Sequence, residues 1–194
     1  MSNLVVFDIS LSLDGYMRGP NHGPYNVMGD GGAKLHSWIG DQATDTDRQL
    51  LTDGVGSAGA IICGRQTYND SLPSWHADGP TGGMRLPVFV VSHSTPDDVP
   101  HGGVYQFERN IEAALLAAKA AAGGKVVCIM GGADIGQQFI RAGLVDELSL
   151  HIAPILLGGG TRMFGDSLTE LTELTIKSVV TSPCATHLRY TLKR

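Results

Sequence analysis

The chain has 194 residues, 42% of them hydrophobic and 17% charged, with a net charge of −5 and no basic block. That balance suits one globular domain with a sizeable core and argues against nucleic acid as the main partner. No apolar run approaches the ~18 residues of a membrane span, and no Lys or Arg precedes the first apolar stretch as in a secretory leader. The three cysteines, Cys63, Cys128 and Cys184, lack C-x-x-C spacing. Cys63 and Cys128 fall inside apolar runs, as small core residues do. These features predict a single domain over 1–194, cytoplasmic and reduced, contacting neither membrane nor nucleic acid.

The first predicted strand runs from Leu4 to Ser12 and closes in the turn Asp14-Gly15. A loop rich in Gly, Pro, Asn and His follows from Arg18 to Gly32, long enough to be a candidate for function. Thr44 to Asp53 reads as a helix, with Thr44 or Thr46 as N-cap, acids in the first turn and Gly54 closing it. Ala60 to Cys63 is a short buried strand that empties into Gly64-Arg65-Gln66-Thr67-Tyr68. After a loop over 71–86, PVFVVS (87–92) is a continuous apolar strand, the kind buried on both faces of a parallel sheet. Val104 to Phe107 is another strand. Asn110 caps an Ala-rich helix whose Ile111, Leu115, Ala118 and Ala122 share one stripe, ended by Gly123-Gly124. The strand Val126 to Met130 stops at Gly131-Gly132, and a helical pattern begins at once. Glu147 to Leu157 reads as a strand with Pro154 at a bulge or edge. LTELTIKSVV and THLRYTL alternate like two antiparallel strands joined around Ser182-Pro183. Strands alternating with helices, then a hairpin, predict an α/β fold with a mostly parallel sheet and an antiparallel C-terminal edge.

Several motifs mislead. GVGSAG (54–59) matches the dinucleotide fingerprint G-x-G-x-x-G, but a helix precedes it and a strand follows, the reverse of that motif's setting. It predicts a helix-to-strand connection. No G-x-x-x-x-G-K-[ST] occurs, so a P-loop is excluded. The seven histidines form no H-x-x-x-H or H-E-x-x-H pair, Pro183-Cys184 lacks the partners of a zinc deaminase, and no G-x-S-x-G elbow exists. Neither a metal nor a covalent nucleophile is predicted, and an enzyme with so few reactive side chains borrows its chemistry from a cofactor. Three junctions stand out instead: GRQT, SHS and GGADI, each after an apolar strand. Ligands collect at such carboxyl ends, where helix N-termini expose unpaired N–H groups. Glycines 131 and 132 serve either a tight turn or the close approach of an anion.

Taken in order, ISLSLDGYM (9–17), ICGRQTY (62–68), VVSHS (90–94), IMGGADIGQQFI (129–140) and DELSLHIAPILLGGGTRMF (146–164) resemble the dihydrofolate reductase-like superfamily. The closest likeness is to the reductase domain of riboflavin biosynthesis and its stand-alone relatives. The resemblance implies a three-layer fold and an NADPH site. Gly64, Arg65 and Thr67 would face the pyrophosphate and adenosine-side phosphates. Ser92, His93 and Ser94 would read the 2′-phosphate. Gly131, Gly132, Ala133, Asp134 and Ile135 would meet the pyrophosphate and nicotinamide ribose. Ser10 would contact the carboxamide, and Met17 would belong to the loop covering the ring. Asp14 is a candidate catalytic residue, or simply an Asp-Gly turn residue. Folate reductases place one acid on the helix before the GRxT element; Asp45, Asp47 and Asp53 are candidates, and Asp47 is taken as the substrate-binding one. Arg162 is a candidate grip on a substrate phosphate.

By resemblance, the reaction is NADPH-dependent reduction of the ribosyl group of a phosphorylated aminopyrimidine, by a homodimer. The deaminase half of the bifunctional enzyme has no counterpart in these 194 residues. Two alternatives stand beside that: a dihydrofolate or pterin reductase, and a non-catalytic dinucleotide-binding module.

Overall fold

The computed structural model describes residues 3–165, 168 and 171–193. Ten strands form: β1 (Val5–Ser12), β2 (Tyr16–Arg18), β3 (Ala58–Gly64), β4 (Val88–Val91), β5 (Tyr105–Glu108), β6 (Val126–Met130), β7 (Glu147–Ala153), β8 (Thr161–Arg162), β9 (Leu174–Thr181) and β10 (Thr186–Leu192). Four α-helices accompany them: α1 (Asp45–Ser57), α2 (Arg65–Trp75), α3 (Ile111–Ala121) and α4 (Ala133–Arg141). Short 3-10 turns cover Gly32–His36 and Gly82–Met84. Among the described residues no helix is long and apolar enough to cross a membrane.

Eight strands make one sheet in the order β5-β4-β3-β6-β1-β7-β10-β9, while β2 and β8 pair separately. The first six run parallel; β10 is antiparallel to β7, and β9 to β10. The mostly parallel α/β sheet with an antiparallel C-terminal edge is thus present. Side chains alternate across the pleat and feed two cores. Phe7, Ile9, Ile62, Phe89, Val127 and Ile129 point to the side of α3 and α4, where Ala114, Leu115, Ala118, Ile135 and Phe139 meet them. Each buried Val, Leu, Ile or Phe among them contributes about 1.5–3 kcal/mol. Contact is closest at Gly136, where a Cβ would stand 2.3 Å from Phe7 Cζ. The alternate positions Ile61, Cys63, Val88 and Val90 pack on the other face with Tyr68 of α2 and Tyr105.

Three local expectations need correction, and one choice between two caps is decided. Gly54 does not end α1: the helix runs on through Gly54 and Gly56 to Ser57, and β3 begins at Ala58, so GVGSAG is the last helical turn and the first strand residues. Of the two candidate caps, Thr44 is the N-cap, in a complete capping box with Asp47. The loop expected over 71–86 starts later, because α2 continues to Trp75 despite Pro73. β7 stops at Ala153, so Pro154 follows the strand instead of interrupting it.

Candidate functional site

β3, β4 and β6 deliver their carboxyl ends to one cleft of about 730 Å³. Gly64, Arg65 and Thr67, Ser92, His93 and Ser94, and Gly132, Asp134 and Ile135 all line it. α2 and α4 start there with glycine at the N-cap, Gly64 and Gly132, so no cap side chain occupies their first-turn N–H groups. The two helix starts are tied together: Gly132 N–H donates to Thr67 Oγ1 at 3.1 Å. Gly131 holds φ +104°, and a Cβ there would lie 2.4 Å from the same oxygen. Only glycine fits that position, whereas a Cβ on Gly132 would meet Thr67 Oγ1 at an ordinary 3.7 Å. Ala133 is buried behind the junction.

Arg65 does not reach freely into the cleft. Its Nη1 donates to Ser92 Oγ (3.1 Å) and to the Ser94 carbonyl (2.8 Å), and its Nε to Asn69 Oδ1 (2.8 Å). It therefore braces the end of β4 against α2. Asp134, exposed in the first turn of α4, accepts from Gln138 Nε2 at 2.8 Å.

The remaining predicted residues lie outside this cleft. Both oxygens of Asp14 are taken by backbone amides, Leu157 N–H at 3.1 Å and Gly158 N–H at 2.7 Å. The Ser12 hydroxyl, helped by those two amides, holds its carboxyl down at about 2 against desolvation, so it stays ionised near neutrality. Asp14 pins the turn after β1 to the backbone at Leu157 and Gly158 and has no proton to give. Arg162 lies over the Tyr16 ring, 4.6 Å from its centroid. Met17 is a core residue. Ser10 is buried, accepting from Trp38 Nε1 at 2.9 Å.

Asp47 departs furthest from expectation. It is fully buried, and its oxygens accept from the Thr44 N–H and hydroxyl, both at 2.7 Å, and from His187 Nε2 at 2.9 Å. Desolvation pushes its carboxyl up, but Thr44, Ser182 and His187 outweigh that and hold it at about 2. No face of it is left for a substrate.

Behind Asp47 runs a chain of polar groups. His187 Nδ1 stands 2.7 Å from His151 Nδ1, and His151 Nε2 stands 3.2 Å from Asp8 Oδ2 and 3.4 Å from Ser149 Oγ. Trp38 stacks on His151 with centroids 4.0 Å apart and meets His187 edge-on. Burial lowers the His187 pKa despite Asp47 beside it. Burial also acts to raise Asp8, yet the His151 hydrogen bond and charge prevail and lower it. The histidines are inside, but the Asp8 side chain is 39% exposed. Asp8 is the Cα partner of Met130, the residue immediately before Gly131. The exposed end of this chain thus lies on the strand next to β6, whose Met130 is two residues before the cleft-lining Gly132.

The model of the RibD C-terminal domain matches residues 3–188. The chain belongs to the RibD C-terminal domain family. Among solved structures, a putative riboflavin biosynthesis protein from Shewanella sp. PV-4 is similar at 26% identity and TM-score 0.70, with all of both chains covered. RibD from Acinetobacter baumannii is similar at 18% identity and TM-score 0.67; the match covers 100% of this chain and 59% of that one. Dihydrofolate reductase from Enterococcus faecalis, complexed with NADP(H), is similar at 13% identity and TM-score 0.63 with both chains fully covered. The last two likenesses concern the fold, which is dihydrofolate reductase-like. No curated protein matches the chain.

Within this RibD-type fold, the cleft also contains residues that sequence reasoning missed. Arg109, Asn110 and Glu112, at the start of α3, form one wall, and Asn69 and Gln138 contribute from α2 and α4. The cap signal at Asn110 was visible in the sequence; that β5 lies beside β4, which carries α3 to the SHS segment, was not. Among the described residues no group of three or more His, Cys, Asp or Glu side chains is placed to hold a metal ion.

Proposed function

We propose that the chain is an NADPH-dependent reductase of the riboflavin-biosynthesis type, acting on a small heterocyclic substrate. Membership of the RibD C-terminal family and the RibD neighbours support a RibD-type reductase, an oxidoreductase. The observation that carries the dinucleotide is the Thr67–Gly131–Gly132 junction. Two helix starts capped by glycine converge there on one cleft, and Gly131, where a Cβ would collide with Thr67, lets them come together. Such a surface suits a pyrophosphate. Gly64 to Thr67 and Gly132 to Ile135 would hold it through backbone N–H groups and the Thr67 hydroxyl. Ser92, His93, Ser94 and the exposed Arg109 would take a 2′-phosphate, which is the basis for NADPH over NADH. When bound, the dihydronicotinamide supplies a hydride.

The burial of Asp47 weighs against a dihydrofolate or pterin reductase that anchors its substrate on that acid. We further propose that the protein works in the cytoplasm as a homodimer. Its edge strand β9 exposes Leu174, Ile176 and Val179, an apolar edge that isolated proteins generally protect. The test is oxidation of NADPH, followed by absorbance, with 5-amino-6-(5-phosphoribosylamino)uracil. Consumption with that compound and none with dihydrofolate is expected. Consumption with dihydrofolate alone, blocked by a folate analogue, would move the assignment to a folate reductase. Binding without any consumption would leave a non-catalytic dinucleotide module.

A further inference from the structure

A reductase that delivers hydride to a C=N or C=O carbon must also deliver a proton to the heteroatom. Asp14 has none to give, so the proton must come from elsewhere. Three hydrogen bonds run through the two buried imidazoles: one to Asp47, one between the rings and one to Asp8. An ionised carboxylate only accepts, so His187 Nε2 and His151 Nε2 must each carry a proton. The 2.7 Å contact between the two Nδ1 atoms needs a third. Two neutral imidazoles hold two ring protons between them; this pair holds three and carries one positive charge. That charge sits on the imidazole pair, between the carboxylates of Asp47 and Asp8.

We propose that the Asp8–His151 pair stores and delivers the proton that balances hydride transfer, with His187 and Asp47 as positioning residues. The proposal rests on the reductase reading above. In the step, the His151 Nε2–H bond breaks as an Asp8 O–H bond forms, and that O–H bond breaks as the heteroatom gains its hydrogen. The pair is then neutral and regains a proton from water through the exposed side of Asp8. The location fits the task, because Asp8 pairs with Met130 on β6, two residues before Gly132, which lines the cleft. His187 and Asp47 fix the direction in which the His151 ring points, and the stacked Trp38 holds its plane. Other ionisable groups that act on the pair are His36, coupled to His151 through its charge, Cys128 on the neighbouring strand β6, and Arg189 on β10, the strand beyond β7, where it pairs with Glu147.

The proton inventory is measurable without any ligand. Imidazole ¹⁵N spectra of the free protein at neutral pH should show three protonated nitrogens among the four of His151 and His187, with coupling across the Nδ1–Nδ1 bond. In Asp8→Asn one of the three protons should be lost, leaving His151 Nε2 bare at the same pH. Two protonated nitrogens in the unaltered protein would overturn the proposal. The kinetic arm uses NADPH and 5-amino-6-(5-phosphoribosylamino)uracil. Asp8→Asn should lower kcat by about 100-fold or more while NADPH affinity, read by calorimetry, is unchanged. Wild-type kcat should fall as rising pH removes the stored proton, and Asp47→Asn should displace that pH profile. An Asp8→Asn enzyme with full kcat overturns the relay and leaves the reductase standing. Failure of the unaltered protein to bind NADPH, or to oxidise it with this probe, overturns the reductase assignment and the relay with it.

Discussion

The hydroxyl of Thr67 accepts the Gly132 N–H at 3.1 Å and lies where a side chain on Gly131 would have to be. One threonine thus joins the starts of α2 and α4 and makes glycine obligatory next to the cleft. The same contact sets apart two adjacent glycines that look interchangeable in the sequence.

Gly131→Ala should therefore be the damaging change of the two. It combines φ +104° with a 2.4 Å clash, and strain of this kind costs about 1–3 kcal/mol. Urea unfolding should show that loss, and NADPH affinity should fall with it. Gly132→Ala meets only an ordinary contact at φ −68°, so its stability should stay within about 1 kcal/mol of wild type.

Selectivity for the 2′-phosphate should depend on Arg109 more than on Arg65. Arg65 is held by Ser92, Ser94 and Asn69, while Arg109 stands exposed on the opposite wall. A charge-assisted hydrogen bond is worth about 1.5–3 kcal/mol. Arg109→Ala should then weaken NADPH by about 10-fold or more with little effect on NADH. Arg65→Ala should weaken both, because it loosens the end of β4.

What could be read from the sequence was whatever is local. A strand that ends in glycine before a helix announces itself by composition, and GRQT, SHS and GGADI do meet in one cleft. Long-range pairing could not be read. His151 and His187 are 36 residues apart and touch because β7 and β10 pair with the two histidines opposite one another. Nor does the position of Asp47 on a helix reveal that the hairpin strand β10 covers it with His187. Gly54 misled for a simpler reason: glycine costs a helix only about 1 kcal/mol, and α1 continues past it, with Ser57 Oγ donating to the Gly54 carbonyl.

Asp47 should make stability depend on acidity. Its folded pKa, about 2, is below the ordinary 3.8, so its contribution is present above the unfolded value and is lost as pH falls toward 2. The shift corresponds to roughly 2 kcal/mol. Asp47→Asn should lower the unfolding free energy by about that amount at neutral pH. Below about pH 4 the gap between the two proteins should close, which denaturant titration at several pH values will follow.

The proposed dimer can be tested through β9. Ile176 is 65% exposed at the sheet edge. Ile176→Asp should leave folding intact, since surface changes usually stay within about 0.5 kcal/mol. Light scattering should find a homodimer for the unaltered chain and a monomer for the variant.

The most direct test of the account is calorimetric titration of the ligand-free protein with NADPH and with NADH. The structure of the cleft predicts saturable NADPH binding, and NADH binding weaker by about 10-fold or more. Binding of neither dinucleotide would mean that the glycine-capped helix starts hold no cofactor, and the reductase assignment would fall.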